Sequence, residues 1–150
     1  MLTQKAKYAL RAALSLARNW NDSEPLSIRE IAEEEGISLK FLEAILLELR
    51  NAGILESRRG RSGGYRLARP PEEISFGAVI RAIDGPLAPI RCASRLYFEP
   101  CADCVDVRNC SIRWVMIKAR DAIADTLDHC TLAEALAQKV ELPDGAVVEI

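Results

Sequence analysis

The chain has 150 residues, 49% of them apolar, and carries 20 Lys and Arg against 22 Asp and Glu, a formal net charge of -2. This length and apolar content suit one ordinary domain with an appendage. No uninterrupted apolar run is long enough for a transmembrane helix, and the N-terminus lacks the apolar block and cleavage site of a signal peptide, so we expect a cytoplasmic protein with no membrane partner.

The charge is unevenly distributed along the chain. Residues 1–91 hold 14 Lys and Arg against 12 Asp and Glu, whereas residues 92–150 hold 6 against 10. Within the first half, residues 58–69 contain five arginines and no acidic residue. Because phosphate contacts act within about one Debye length, roughly 8–10 Å, a local basic strip matters more than the net charge. The composition therefore leaves DNA binding open.

The N-terminal part of the chain shows three segments with helical periodicity. Apolar residues at helical spacing predict a first helix over residues 3–19. A capping box at 27–30 predicts a short second helix that ends before Gly36. A third helix, with Ser38 as its N-cap, is predicted to end near residue 51, with a core face of Leu42, Ile45, Leu46 and Leu49. Two helices joined by a short turn containing Gly predict a helix-turn-helix.

The next segment predicts a β-hairpin. Two strand-like runs, 54–59 and 65–68, flank a tip that is rich in glycine and arginine. This hairpin lies where a winged helix carries its wing. The sequence therefore predicts a mainly α fold with a small β-hairpin wing, that is, a winged helix-turn-helix.

The C-terminal half is predicted to be helical on either side of an irregular segment. One helix is predicted over residues 74–83, and residues 92–110 show no clear periodicity. A long amphipathic helix is predicted over 111–128, and a capping box at 131–134 predicts a short last helix.

The exposed residues of the third helix and of the wing are the candidate DNA contacts. Lys40 is expected to reach a phosphate or guanine, and Glu43 to accept from a cytosine amino group. Arg59 and Arg61 flank the hairpin tip, where side chains enter a minor groove. The full set is Ser38, Lys40, Phe41, Glu43, Arg58, Arg59 and Arg61. Two alternatives stay open: Phe41 packs on a thymine methyl group or completes the core, and the helix-turn-helix binds DNA or another protein.

Four of the five cysteines cluster in the irregular segment: Cys92, Cys101, Cys104 and Cys110. In a reducing cytosol, clustered cysteines more often bind metal or carry redox chemistry than form structural disulfides. The spacing leaves three interpretations open: an iron–sulfur cluster, a structural zinc site of four thiolates, or a metal-free arrangement such as a thiol–disulfide switch. Cys130 and the single histidine, His129, suit packing or the surface better than metal ligation.

The chain shows no pattern typical of an enzyme. It has no Cys–His or Ser–His constellation, and no Walker or Rossmann glycine motif. We therefore expect a non-enzyme.

Over nearly its full length the chain resembles the iron–sulfur cluster regulators of the IscR type, with the related nitric-oxide- and iron-responsive regulators NsrR and RirA. The matching stretches are residues 7–10, 37–43, 58–65, the cysteine loop and 130–136. A glycine-rich wing followed by clustered cysteines is a specific combination.

This resemblance implies a homodimer whose long helices pack together, palindromic operator sites in double-stranded DNA, and an iron–sulfur cluster, 2Fe-2S or 4Fe-4S, in each cysteine loop. It carries three ligands over to Cys92, Cys104 and Cys110. It also links Glu43 to base discrimination and Arg59 to the minor groove.

The sequence departs from that family at the fourth ligand. IscR-type proteins have a histidine three residues after the last cysteine, where this chain has Arg113, and the acidic residue used by the nitric-oxide-responsive type matches Lys7 here. Neither side chain is a plausible ligand. We therefore hypothesise that Cys101 provides the fourth thiolate, with a three-cysteine site and an exchangeable fourth position as the alternative.

These observations divide the chain into five parts. They are a winged helix-turn-helix DNA-binding domain (1–70), a connecting helix and loop (71–91), a cysteine-rich cofactor loop (92–110), a dimerisation helix with a C-terminal cap (111–140) and a tail (141–150). The expected function is a transcription regulator, a repressor among the alternatives, that senses iron, redox or nitric oxide status through the cluster. The alternative is a zinc-stabilised helix-turn-helix subunit for protein interaction.

Overall fold

A computed structural model of the chain describes residues 2–21 and 24–138. The predicted tail at 141–150 lies outside the described residues. The α-helices within those ranges are α1 (Gln4–Arg18), α2 (Ile28–Glu35), α3 (Leu39–Asn51), α4 (Phe76–Asp84), α5 (Ser111–His129) and α6 (Leu132–Ala137). The strands β1 (Leu55–Arg58) and β2 (Gly64–Leu67) pair antiparallel, and 3-10 helices cover Pro71–Glu73 and Arg91–Ala93. The predicted mainly helical fold with a hairpin is confirmed.

The helices begin at side chains that satisfy free backbone N–H groups. The Thr3 hydroxyl accepts a hydrogen bond from the Ala6 amide at 3.1 Å. Ser27 and Glu30 form the predicted capping box, in which each side chain accepts from the other residue's amide. Ser38 stands at the N-cap of α3 as predicted, but its side chain makes no capping hydrogen bond. The Ser38 hydroxyl is therefore not engaged by its own helix.

A single apolar core joins the N-terminal helices, the strands and the last helix. All four predicted core residues of α3 are buried, and Leu132 of α6 is fully buried in the same cluster. The Leu132 amide donates to the Ile74 carbonyl at 2.9 Å, and the Phe76 amide donates to the Cys130 carbonyl at 2.9 Å. Because the Ile74 carbonyl is bound to the Leu132 amide, α4 begins at Phe76 rather than at residue 74. Burying a leucine contributes about 1.5–3 kcal/mol, so α6 is a substantial part of the core.

The wing is attached to the helix-turn-helix by a third chain segment. Leu26 and Tyr65 exchange both backbone hydrogen bonds, at 3.0 and 2.7 Å, and form an antiparallel bridge. A Cβ at Gly64 would overlap the Leu26 carbonyl, so this close approach requires glycine. Gly36 ends α2 with a φ of 62°, a left-handed conformation that also favours glycine. The bridge between Leu26 and Tyr65 therefore holds the wing against the segment before α2, while Gly36 shapes the turn between α2 and α3.

The α5 helix extends from this core with one apolar face uncovered. It contains no fully buried residue, and Ile112 is 67% exposed. Val115 and Ile123 lie on the same face at helical spacing and are exposed as well. None of the helices in the described ranges is both long and apolar enough to cross a membrane.

Candidate DNA-binding surface and cysteine site

The third helix presents a polar face to solvent because its leucines and isoleucine anchor the opposite face in the core. Ser38, Lys40 and Glu43 are exposed on this helix, as predicted for residues that enter a groove. Phe41 is half-buried and packs edge-on against Tyr8, with ring centroids 5.8 Å apart. This contact favours the alternative in which Phe41 completes the core.

The wing presents three arginines without internal partners. Arg58 ends β1, while Arg59 and Arg61 lie in the tip, which is closed by a hydrogen bond from the Gly63 amide to the Gly60 carbonyl. All three arginines are exposed, and none forms an ion pair within residues 2–21 and 24–138. Arg66, by contrast, pairs with Glu56 across the strands. The charges at the tip are therefore available to an anionic partner such as phosphate.

Ion pairs hold the first helix of the helix-turn-helix against α1. Arg11 and Arg18 both pair with Glu35, which is buried, at 2.9 and 2.6 Å. Hydrogen bonds from Ser15 and Arg18 lower the pKa of Glu34 below its ordinary value. These contacts fix α2, and through it the position of α3.

The structure places the four clustered cysteines on one segment that ends at the first turn of α5. Cys92 is buried, 4% exposed, in the 3-10 helix, whereas Cys101 is exposed. Cys104 and Cys110 are half-buried, and all of these cysteines are free thiols. Cys110 is the N-cap of α5, and its sulfur accepts a hydrogen bond from the Arg113 amide at 3.4 Å. The positive end of the helix favours an anionic ligand there.

The thiols influence one another electrostatically. The pKa of Cys101 is raised above its ordinary value, chiefly by a hydrogen bond with Cys92 and then by the charge of that thiol. Partial burial, followed by the charges of Cys101 and Cys110, raises the pKa of Cys104. The Cys92 thiol thus opposes ionisation of Cys101, and Cys101 and Cys110 oppose ionisation of Cys104. Binding of a cation or cluster would release protons from Cys101 and Cys104.

The donor chemistry of this segment suits a soft metal or an iron–sulfur group, since thiolates are the preferred ligands of both. The described residues contain no group of three or more His, Cys, Asp or Glu side chains already arranged to hold a metal ion. The four thiols are the ligand type that an iron–sulfur cluster prefers, and all four lie on one segment of the chain. The segment would have to close around the group to bring them together.

Cys130 and His129 lie at the other end of α5. Cys130 is the C-cap of this 19-residue helix, which is about 28 Å long, whereas Cys110 is its N-cap. His129 is exposed and faces Asp125 at 3.3 Å. Cys130 therefore lies one helix length from Cys110, and the expectation that neither Cys130 nor His129 is a ligand stays a prediction.

Sequence reasoning missed two arginines beside the cysteine segment. Arg113 donates to the Cys92 carbonyl at 2.8 Å, and Arg120 donates to the Ala93 carbonyl. From the sequence, Arg113 was predicted only not to be the fourth ligand of the cluster. The spacing of seven residues, which places both side chains on one face of a helix, is the signal that was available.

The chain is similar to known transcriptional regulators over most of its length. A sequence model of the Rrf2 family, described as an iron-dependent transcriptional regulator, matches residues 2–138. An rrf2-like HTH-type transcriptional regulator of Rhodobacter capsulatus is 46% identical over 139 residues, covering 91% of this chain and 93% of that protein. The regulator IscR of Vibrio vulnificus is 34% identical over 149 residues, covering 99% of this chain and 81% of its own length.

Solved structures give the same result. CymR, the global cysteine regulator of B. subtilis, superposes with a TM-score of 0.73 at 31% identity, covering 91% of this chain and 96% of that one. IscR of T. potens superposes with a TM-score of 0.71 at 32% identity, covering 94% and 93% of the two chains.

Proposed function

We propose that this chain, which belongs to the Rrf2 family of transcriptional regulators, binds operator DNA through α3 and the wing and senses a signal through an iron–sulfur cluster at residues 92–110. Its relatives are named as regulators and not as enzymes, in agreement with the absence of a catalytic motif. We infer further that it is a cytoplasmic regulator, with repression among the alternatives, whose signal is iron, redox or nitric oxide status.

The observation that carries the DNA-binding part is the set of exposed basic side chains on the two elements that a winged helix places against DNA. Lys40 on α3 and the three wing arginines, Arg58, Arg59 and Arg61, are exposed. Glu43 is exposed on the same helix and can accept from a cytosine amino group. The wing supplies most of the positive charge, so we assign it most of the affinity, and we assign base discrimination to Ser38 and Glu43.

The cluster would be held by Cys92, Cys104 and Cys110, with Cys101 as the fourth thiolate. When bound, an iron–sulfur cluster supplies reversible redox chemistry and sensitivity to iron supply and nitric oxide. Cys110 fixes one ligand to the N-terminus of α5, and Cys92 fixes another to the 3-10 helix packed beside it. Cys101 is exposed, and its thiol already forms a hydrogen bond with that of Cys92.

The uncovered face of α5 supports a homodimer. Ile112, Val115 and Ile123 form an exposed apolar stripe on a helix that contains no fully buried residue. Pairing two such helices buries the stripe and gives a two-fold axis, which matches a palindromic operator. Because the cysteine segment contacts α5, a change at the cysteines alters the relative placement of the two wings and recognition helices.

A thiol switch without a cluster is the second candidate. Cys92, Cys101, Cys104, Cys110 and Cys130 are all free, and Staphylococcus aureus CymR, at 36% identity and a TM-score of 0.68, has been solved in an oxidized form. A four-thiolate zinc site would use the same donors, although only the thiol chemistry supports it.

Anaerobic purification distinguishes these candidates. We expect a brown protein with iron and acid-labile sulfide, and DNA selected from a random duplex pool should bind the cluster-loaded and cluster-free forms with different affinity. A colourless protein with one zinc per chain would instead support a structural zinc site. A metal-free protein whose DNA affinity changes on oxidation would establish the thiol switch. Binding that weakens steeply with salt in any of these forms supports phosphate contacts.

A further inference from the structure

Two arginines of α5 hold the backbone of the segment that carries the buried cysteine. Arg113 Nε donates to the Cys92 carbonyl oxygen at 2.8 Å, and Arg120 Nη1 donates to the Ala93 carbonyl oxygen. Both acceptors lie in the 3-10 helix Arg91–Ala93. The arginines are seven residues apart, which is two helical turns, so both reach the 3-10 helix from one face of α5.

Each guanidinium is also held from its other side. Arg113 lies over the ring of Phe98, with its Cζ 5.6 Å from the ring centroid. Arg120 donates to Asp121 at 2.6 and 2.9 Å, and Arg95 donates to the same carboxylate at 2.9 Å. The Arg120 side chain is only 12% exposed. Because these contacts restrict both side chains, little further ordering is needed to bind the carbonyl oxygens.

We propose that Arg113 and Arg120 form a clamp that makes Arg113 a positioning residue of the cysteine site, so that the Cys92 segment and α5 move together. Arg113 stands at the position where the resemblance to IscR-type regulators implies a histidine ligand. In this chain that position holds the backbone of one cysteine and leaves the fourth ligand to another residue. The link to a cluster rests on the proposed function, whereas the clamp itself does not.

The geometry distinguishes a clamp from a surplus of positive charge. Lys118 lies on the same helix, but its Nζ packs on Trp114, 4.1 Å from the ring centroid. A lysine at 113 would keep the charge, but it lacks the planar group that stacks on Phe98 while donating to a carbonyl. Charge and geometry can therefore be tested separately.

The test is hydrogen exchange, followed by mass spectrometry, on the full-length protein as isolated and again after chelation. The reporters are the amides of Ala93 and Ser94, which donate to the carbonyls of Ile90 and Arg91 at 3.1 and 3.0 Å. We expect Arg113→Ala and Arg120→Ala to lower their protection about tenfold or more, since each removes a charge-assisted hydrogen bond. Arg113→Lys should lie between Arg113→Ala and wild type, and Lys118→Ala should match wild type.

A change of less than about twofold in both alanine variants would overturn the clamp. So would an equal loss of protection across α1–α4, because the effect would then be global. If Arg113→Ala does not fold, Arg113→Lys and Arg120→Ala decide the question. The visible absorbance of iron-loaded protein gives a separate readout, since Arg113→Ala should shorten the lifetime of the cluster. Absence of iron from wild type would contradict the proposed function, while the exchange measurement would still decide the clamp.

Discussion

Arg81 of α4 and Asp128 of α5 form a two-pronged ion pair, with Nη1–Oδ1 and Nη2–Oδ2 distances of 2.5 and 2.8 Å. A Cβ at Gly77 would overlap both the Asp128 carboxylate and the Arg81 guanidinium, so an alanine there would displace the ends of these two side chains. The pair fastens α5 to α4, one turn before the chain returns to the core. Hydrogen bonds from Arg81 hold the pKa of Asp128 below its ordinary value of 3.8.

The Asp128→Asn substitution should destabilise the protein in a pH-dependent way. A carboxylate with a lowered folded-state pKa stabilises the fold fully above its unfolded pKa, and this contribution is lost as the pH falls through the folded value. Both partners are more than one third exposed, so solvent screening limits the loss at pH 7 to about 0.5–1 kcal/mol. The difference from wild type should shrink below about pH 4.

Urea unfolding at one protein concentration and several pH values measures this difference. Asp125→Asn, which alters an exposed carboxyl on the same helix turn, is the matched control. A difference between wild type and Asp128→Asn that stays constant down to pH 2 would show that the effect comes from packing and not from the charge.

The Gly64→Ala substitution should weaken both the fold and DNA binding. The new methyl group would overlap the Leu26 carbonyl, and relieving this overlap requires a backbone shift in the bridge between Leu26 and Tyr65. Overpacking of this kind costs about 1–3 kcal/mol. Thermal unfolding and DNA titration measure the two effects, with Ser62→Ala at the wing tip as the control. If Gly64→Ala has the melting temperature and DNA affinity of wild type, the Leu26–Tyr65 bridge does not require glycine at position 64.

The wing arginines should each contribute separately to the salt dependence of DNA binding. Arg59→Ala and Arg61→Ala should each reduce the slope of log K against log salt by about 0.9, because each contact releases condensed counterions. Affinity should fall for all duplex sequences alike if the contact is to phosphate. Arg108→Ala changes another exposed arginine, in the 92–110 loop, and should leave the slope unchanged. An unchanged slope in both wing variants would remove the wing from the interface.

Cys101 should behave as a cluster ligand, whereas Cys130 should not. Cys101→Ala should lower iron content or shorten the lifetime of the visible absorbance, because it removes the proposed fourth thiolate. Cys130→Ala removes a thiol at the far end of α5 and should leave both properties unchanged. An unaltered cluster spectrum and lifetime in Cys101→Ala would instead support three cysteines with an exchangeable fourth position.

The α5 stripe should be needed for self-association. Val115→Glu places a charge in the middle of the exposed apolar face and should convert the dimer to monomer, because burying an unpaired carboxylate is costly. Sedimentation or light scattering across a concentration series measures the change. Lys118→Glu introduces the same residue on the flank of the stripe and should stay dimeric. A dimeric Val115→Glu variant would place the interface elsewhere.

Local patterns predicted much of this fold, and contacts distant in sequence were missed. The capping boxes and the core face of α3 follow from spacings of three and four residues, which the sequence displays directly. The bridge between Leu26 and Tyr65, the burial of Leu132 and the clamp of Arg113 depend on segments that meet only in the folded chain. The ambiguity of Phe41 had the same origin, because its partner Tyr8 belongs to another helix. At the candidate site the residue types were predictable, while their separation and burial were not.

The burial of Leu132 determines when the protein can finish folding during its synthesis. Domains generally form from the N-terminus onward as the chain is made. Here the core that positions α3 and the wing also contains Leu132. The ribosome must therefore release the cysteine segment and all of α5 before the winged helix is complete. The nascent chain consequently exposes the thiols of this segment before its candidate DNA-binding surface is fully formed.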